Sequence, residues 1–523
     1  MRSFDSDHPY RSLPRSPDLG HLRDEAKSLK KICASGDPVA IAFIDFHRGK
    51  TPNAVKLADA QFALARSYGF KSWARLKAFV EAQACSPEER GALLLETLFT
   101  ENHSLLQELY DRRESLPKAD FFVAAAVGNL AVVESMLAAD SAWASRVGGP
   151  MQTQAITYAA YARFWLTDST YLARQRRIVT LLLSHGADPN SFISEESRGK
   201  QGAGRLSALY GSCRQPGNVP IAKLLLDAGA NTDDGESLYH ASELRDTECL
   251  ELLFAAGVPE TDRDYCIGRA LDFDNPSLIT VYLRNGANPD RLDYALFRNR
   301  SQRIIELLVE HGADLNRPCE DNWLVKRIQG LTPIQIAERG GAVEAVSYLL
   351  AKGATDNRTP KDRLIGACAR ADEETARGIL REYPDVIRTL NERDHGNIAA
   401  LAREGRVQSV HLMLDAGFDI EARADDLDAT ALHYAATNGD VPMLRLLLAR
   451  GARLDVKHKY GGTPLGTTVY CAKNFRNADG RYAEAVQLLV EAGGKAPDDF
   501  LKFAVDNDLD EIADVLRAHG ASL

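Results

Sequence analysis

Between Thr430 and Asp455 the hydrophobic positions fall into two short helical stripes separated by a break. Leu432, Ala435 and Ala436 share one face of a first helix, where the small alanines admit a neighbouring backbone. Gly439 interrupts the pattern, Asp440 is placed to cap a second helix, and Pro442 fits its first turn. Met443, Leu444, Leu447 and Leu448 then form an apolar stripe, and Gly451 supplies the left-handed residue that ends it. A helix pair this short cannot bury its stripe alone, so the pattern predicts further copies stacked on it.

The helix-ending glycine recurs at Gly186, Gly229, Gly257, Gly286, Gly312, Gly353, Gly417, Gly493 and Gly520, nearly always behind a run rich in Leu or Ile. The helix-opening half recurs as Thr332-Pro-Ile-Gln-Ile-Ala and Thr463-Pro-Leu-Gly, and in weaker form at residues 154–160 and 236–242. The Thr430-Ala-Leu-His-Tyr-Ala-Ala segment, with a period of roughly 33 residues, resembles the ankyrin repeat. That resemblance implies an all-α ankyrin-repeat solenoid of helix-turn-helix units with hairpin fingers and a helical N-terminal cap. In that family the imidazole of the tetrapeptide, here His433, bonds to the nearby threonine, here Thr430.

Four segments are expected along the chain. Residues 1–17, polar and marked by proline, read as a disordered leader. Residues 18–117 carry helical periodicity without the repeat and read as an N-terminal cap over the first repeat. Within them Ala65-Arg-Ser-Tyr-Gly-Phe-Lys-Ser-Trp resembles a helical leader module found ahead of ankyrin arrays in bacterial proteins, and the C-terminal third resembles one bacterial ankyrin lineage. Residues 118–360 and 361–523 form two blocks of repeats, the second with its own C-terminal cap; proline-marked segments at 359–362 and 381–386 suggest a hinge between them.

Insertions depart from the period at 161–177, 191–205, 318–327 and 472–481. Insertions in repeats map to surface loops, where they either drift or carry binding.

Composition narrows the function. A formal net charge of -10 opposes general nucleic-acid binding, although residues 1–84 hold 14 Lys or Arg against 9 Asp or Glu. Eight scattered cysteines without a Cys-x-x-Cys point to a reducing compartment. Neither a signal peptide nor an apolar stretch of about 20 residues is present, so a soluble cytoplasmic protein is expected. No His-Glu-x-x-His occurs, His47-Arg-Gly-Lys-Thr lacks the first glycine of a phosphate loop, and the Gly199–Gly204 stretch follows no buried strand. The acidic clusters around 425–428 and 506–511 lack the spacing of a calcium loop. Metal, cofactor and catalytic residues are therefore expected to be none.

Recognition is the remaining chemistry. In ankyrin arrays the residues just before the threonine and just after the paired alanines line a concave groove, and tyrosine, tryptophan and arginine are favoured anchors. The resemblance and residue type single out Trp165, Tyr210, Trp323, Ile328, Gln329, Arg339, Asp426, Leu427, Tyr434, Asn438, Lys459, Tyr460 and Tyr470 as partner-binding. The expected function is a monomeric, non-catalytic scaffold or adaptor binding a protein, with no membrane partner. The alternatives are an enzyme with a site built in the insertions and a nucleic-acid-associated regulator using the basic N-terminal module.

Overall fold

A computed structural model of the chain describes residues 13–14, 17–48, 55–70, 72–83, 86–100, 102–194, 205–214, 216–320, 326–424, 427–507 and 509–522. The chain divides into two units, residues 1–266 and 267–523. Much of the expected leader, the tips of the fingers at 191–205 and 318–327, the 199–204 stretch, Trp323 and Asp426 lie outside the described residues.

The first unit opens with helices Leu19–Ala34, Pro38–Arg48, Leu57–Ser67 and Trp73–Gln83, which enclose two small cores. One gathers Leu22, Ala26, Leu64 and Leu76, the other Leu29, Phe43, Ile44 and Ala60. A further pair, Pro87–Thr97 and His103–Asp111, follows. Ser86 starts it with a capping box: its hydroxyl accepts from the Glu89 amide at 3.2 Å and its amide donates to the Glu89 carboxylate at 2.7 Å. Helix pairs then succeed one another from Phe121–Val127 with Leu130–Ala139 onward.

The second unit continues the series to Asp498–Asp506 with Asp510–Ala518. In the best-patterned repeat the helices are Ala431–Asn438 and Val441–Ala449. The Asp440 side chain accepts from the Met443 amide at 3.1 Å, and Met443, Leu444 and Leu447 are fully buried, while Leu448 is only partly so. All ten helix-ending glycines adopt positive φ, between 81° at Gly286 and 102° at Gly493. At most of them, including Gly451, an added Cβ would meet nothing within 4 Å. Backbone conformation, not space, requires glycine there. Short antiparallel ladders, such as Arg423–Ala424 with Ala429–Thr430, make the roots of the fingers.

In four inner helices of the second unit the first turn carries a polar group that also bonds to a neighbouring repeat. His433 donates from Nε2 to the Gly462 carbonyl at 3.1 Å, which leaves Nδ1 to accept from the Thr430 hydroxyl at 2.9 Å. The equivalent position is Gln335 after Thr332, Asp362 after Thr359 and Asp394 after Asn391, each in a capping box. Gln335 Nε2 donates to Asp362 at 3.1 Å.

Arg339 joins this column. Its guanidinium donates to Asp362 at 2.5 Å and to Asp394 at 2.7 Å, and Lys361 donates to Asp394 at 2.9 Å. These buried pairs span position 360, where the sequence suggests a hinge. The close approach of the repeats also fixes Gly366, where a Cβ would lie 2.3 Å from the Glu338 carbonyl.

Burial works against the charge on Asp362 and Asp394, but the facing cations and capping amides more than offset it and lower both pKa values. His433 is lowered to about 4, chiefly because its neutral ring is buried. Its contribution to stability is thus present above the ordinary imidazole pKa and is lost as the pH falls from there toward 4. The loss is on the order of 3 kcal/mol. Gln335 shows that glutamine serves at the same position, so His433→Gln is expected to fold and to flatten this part of the acid dependence in thermal melts. Arg339→Met leaves the buried Asp362 carboxylate without its cation, while Asp394 keeps Lys361, and is expected to destabilise the second unit by about 3–5 kcal/mol in denaturant titrations near neutral pH.

Candidate interaction surfaces

In the first unit, successive inner helices place aromatic side chains side by side. Helices Ala155–Tyr161, Ala208–Cys213, Ser237–Ala241 and Glu260–Ala270 supply Tyr161, Tyr210, the pair Tyr239 and His240, and Tyr265. Ring centroids are 6.0 Å apart for Tyr161 and Tyr210, 4.9 Å for Tyr210 and His240, and 6.3 Å for Tyr239 and Tyr265. Exposure rises along this ladder from 1% at Tyr161 through half-buried Tyr210 and Tyr239 to 70% at Tyr265.

His240 stands between Glu236 at 3.2 Å and Glu243 at 3.1 Å. Burial opposes its charge, but the two carboxylates outweigh burial and raise its pKa above the usual imidazole value.

The insertion at 161–177 lies against the N-terminal helices. Phe164 stacks on Tyr110 of helix His103–Asp111 with centroids 3.8 Å apart. Asp168 accepts from the Tyr110 hydroxyl at 2.7 Å, from Arg174 at 2.9 Å and from the Thr170 hydroxyl at 2.7 Å. Those three donors hold its carboxyl well below the ordinary carboxylate range. A cavity of about 1930 Å³ opens beside this junction, lined by Arg75, Asp111, Phe164, Arg174, Tyr210 and His240 among others. Much of its charge is internally matched: Arg75 pairs with Asp111 at 2.5 Å and Arg112 with Glu108 at 2.8 Å. Trp165 is half-buried in the same insertion, its Nε1 enclosed and without a hydrogen-bond partner among the described residues.

The remaining sequence-derived candidates separate into interior and surface groups. Ile328 and Tyr434 are buried, and the Tyr434 hydroxyl donates to the Ala424 carbonyl at 3.2 Å. Arg339, expected in the groove, is 8% exposed and committed to its two aspartates. Burial withdraws these three from the surface: Arg339 and Tyr434 lie on inner helices, which turn most of their positions toward neighbouring repeats, and Ile328 ends the short turn Lys326–Ile328. Gln329 and Asn438 are half-buried; the Gln329 carbonyl accepts from Arg393 at 2.7 Å, and Asn438 donates to the Arg403 carbonyl at 2.8 Å.

Leu427, Lys459, Tyr460 and Tyr470 are exposed, Tyr460 to 73%. Sequence reasoning passed over Tyr239, His240, Tyr265, Phe475 and Phe503. Tyr265 sits in a repeat with no recognisable opening motif, so only the repeat register would have found it.

Among the described residues no group of three or more His, Cys, Asp and Glu side chains is arranged to hold a metal ion. Nor is any helix there long and apolar enough to cross a membrane. Residues 398–466, containing the His433 cap and its neighbours, match the family model for ankyrin repeats present in many copies. Residues 398–466 carry ankyrin repeats.

Curated relatives are similar over parts of their length. The ankyrin repeat and KH domain-containing protein mask-1 of Caenorhabditis elegans is 27% identical over 303 residues, covering 53% of this chain and 11% of that protein. Serine/threonine-protein kinase 12 of Arabidopsis thaliana is 29% identical over 143 residues, covering 27% of this chain and 29% of the kinase. The chain thus spans less than a third of either relative. A solved ankyrin repeat domain from Acinetobacter baumannii covers 36% of this chain and 98% of its own, with 21% identity and a TM-score of 0.27.

The ankyrin inner face has a testable titration at His240. Its folded pKa is raised, so its contribution is fully present below the ordinary imidazole value and is lost as the pH rises through the raised one. This is the opposite sign to His433. The difference in melting temperature between the native chain and His240→Gln is expected to be largest in mildly acid buffer and to vanish on the alkaline side.

Proposed function

We propose that this ankyrin-repeat chain is a non-catalytic scaffold or adaptor that binds a protein partner across its inner helices and fingers. The observation that carries the reading is the aromatic ladder, which climbs from buried Tyr161 to Tyr265 at 70% exposure on successive inner helices. A tyrosine offers large apolar area together with a hydrogen-bonding tip, and loses little side-chain entropy when it is covered. Tyrosines repeated at the pitch of the repeats give one partner several anchors in register. One similar protein is an ankyrin repeat and KH domain-containing protein, which fits a recognition module that serves another activity.

The same reading takes the N-terminal helices as a cap. Helix Pro87–Thr97 lies close against the first repeat, where a Cβ on Gly91 would come 3.1 Å from Val123. It also takes the chain as one of the bacterial ankyrin lineage with a helical leader, acting in the cytoplasm. The described cysteines, all free thiols, accord with a reducing compartment.

The test places a photo-crosslinking phenylalanine analogue at Tyr265, or at Arg177 on an outer helix, in the full chain expressed in its native cell. The expected result is a discrete crosslinked protein from position 265 and none from 177, reduced when Tyr239→Ala is added. Equal labelling from both positions, or none from 265, contradicts the reading.

A further inference from the structure

Charge is distributed unevenly along the aromatic ladder. Residues 231–266, which carry Tyr239, His240 and Tyr265, hold ten Asp or Glu against two Lys or Arg. Their net of -8 is most of the formal -10 of the whole chain. Outer helix Glu248–Ala256 and the turn before it take three of these acids, Asp246, Glu248 and Glu251. The other seven lie on inner helices Ser237–Ala241 and Glu260–Ala270 or in the turns that flank the first.

Those acids stand at the rings. Glu236 and Asp262 each precede a ladder tyrosine by three residues, which sets carboxylate and ring on one helical face. His240, next to Tyr239, has Glu236 at 3.2 Å and Glu243 at 3.1 Å, so its single charge meets two of the opposite sign. Arg263 answers Asp264 at 3.3 Å and Glu260 at 3.7 Å on its own helix. Asp262 instead meets Asp233 of the preceding repeat, and burial together with the Asp233 and Asp234 charges raises its pKa above the usual carboxylate value. Among the described residues neither Asp233 nor Asp262 makes an ion pair. Beside them Tyr239 and Tyr265 are near-parallel, with centroids 6.3 Å apart and planes 25° from each other, and Tyr265 is 70% exposed.

Resting on the interaction reading above, we propose that the Tyr239 and Tyr265 end of the ladder docks a basic segment of the partner through an arginine side chain. The guanidinium stacks on the tyrosine faces, and its N–H groups answer the Asp233 and Asp262 carboxylates. Charge complementarity selects the basic class: the partner's cation relieves a like-charge contact that the free chain must bear. Ring faces beside carboxylates select arginine over lysine, because a planar, weakly hydrated guanidinium both stacks and donates in a fork, whereas an ammonium is a strongly hydrated point charge. An acidic peptide or a nucleic acid would meet repulsion on this face.

The test uses the full-length chain and fluorescence anisotropy with three labelled peptides of Gly and Ser: one bearing several Arg, one with Lys in their place, and one with Glu. The Arg peptide is expected to bind saturably and to weaken as salt is raised, the Lys peptide to bind several-fold more weakly, and the Glu peptide not at all. Tyr239→Ala with Tyr265→Ala is expected to weaken the Arg peptide roughly tenfold, with circular dichroism checking that the variant stays folded. Asp233→Asn with Asp262→Asn is expected to weaken it by a similar factor while the melting temperature holds or rises, because a like-charge contact is removed. A purely structural role for these acids would lower the melting temperature instead.

Tyr383→Ala, at an exposed tyrosine of the second unit, is expected to leave this binding unchanged. No binding of the Arg peptide, equal or tighter binding of the Lys or Glu peptide, indifference to both sets of variants, or loss in the Asn pair only with a fallen melting temperature overturns the arginine dock. Crosslinking from Tyr265 that survives such a result keeps the interaction reading and removes only this assignment of its partner. Absence of the Tyr265 crosslink alongside intact Arg-peptide binding does the reverse.

Discussion

In the second unit, several repeats are held in register by the polar group in the first turn of the inner helix. A helix of seven or eight residues leaves half its amides without partners, so the cap is a large share of its own stability. Here the capping side chain does two jobs, closing its own turn and reaching the next repeat: His433 to Gly462, Gln335 to Asp362, and Asp362 with Asp394 through Arg339. Apolar stripes such as Met443, Leu444 and Leu447 give the free energy of stacking without fixing its register. The buried hydrogen bonds fix it, since a slipped neighbour would leave them unsatisfied.

That division explains what was legible in the sequence. The outer helices were plain, because a Leu-rich stripe, a capping Asp and a left-handed glycine are local signals, and all ten glycines read as helix ends have positive φ. The Thr430 and His433 pairing was legible only through the resemblance to the ankyrin repeat. Arg339 was not: its type suggested a surface anchor, and its partners Asp362 and Asp394 lie 23 and 55 residues away. Tyr434 misled similarly, since a tyrosine beside paired alanines looks like groove lining until the Ala424 carbonyl is seen beneath its hydroxyl. Whether an aromatic faces in or out depends on the neighbouring repeat, which no local pattern records.

The insertions show two outcomes of one genetic liberty. The segment at 161–177 turns inward, where Phe164 and Asp168 fasten it to Tyr110, so its departure from the repeat period serves the N-terminal helices. The segment at 472–481 is fastened too, through Arg481 and Tyr482, but Phe475 is left in solvent. Exposed aromatic area on a rigid frame is a poor bargain for stability alone and a good one for recognition, because little order is lost when a partner covers it. The same holds for Tyr265 at the exposed end of the ladder.

Recognition by the inner face is the claim on which the functional account stands, and hydrogen exchange measured by mass spectrometry reads it directly. With the full chain bound to the protein captured at its inner face, added protection should concentrate in helices Ala208–Cys213, Ser237–Ala241 and Glu260–Ala270. Protection confined to the outer helices, such as Val219–Asp227 and Glu248–Ala256, would contradict it.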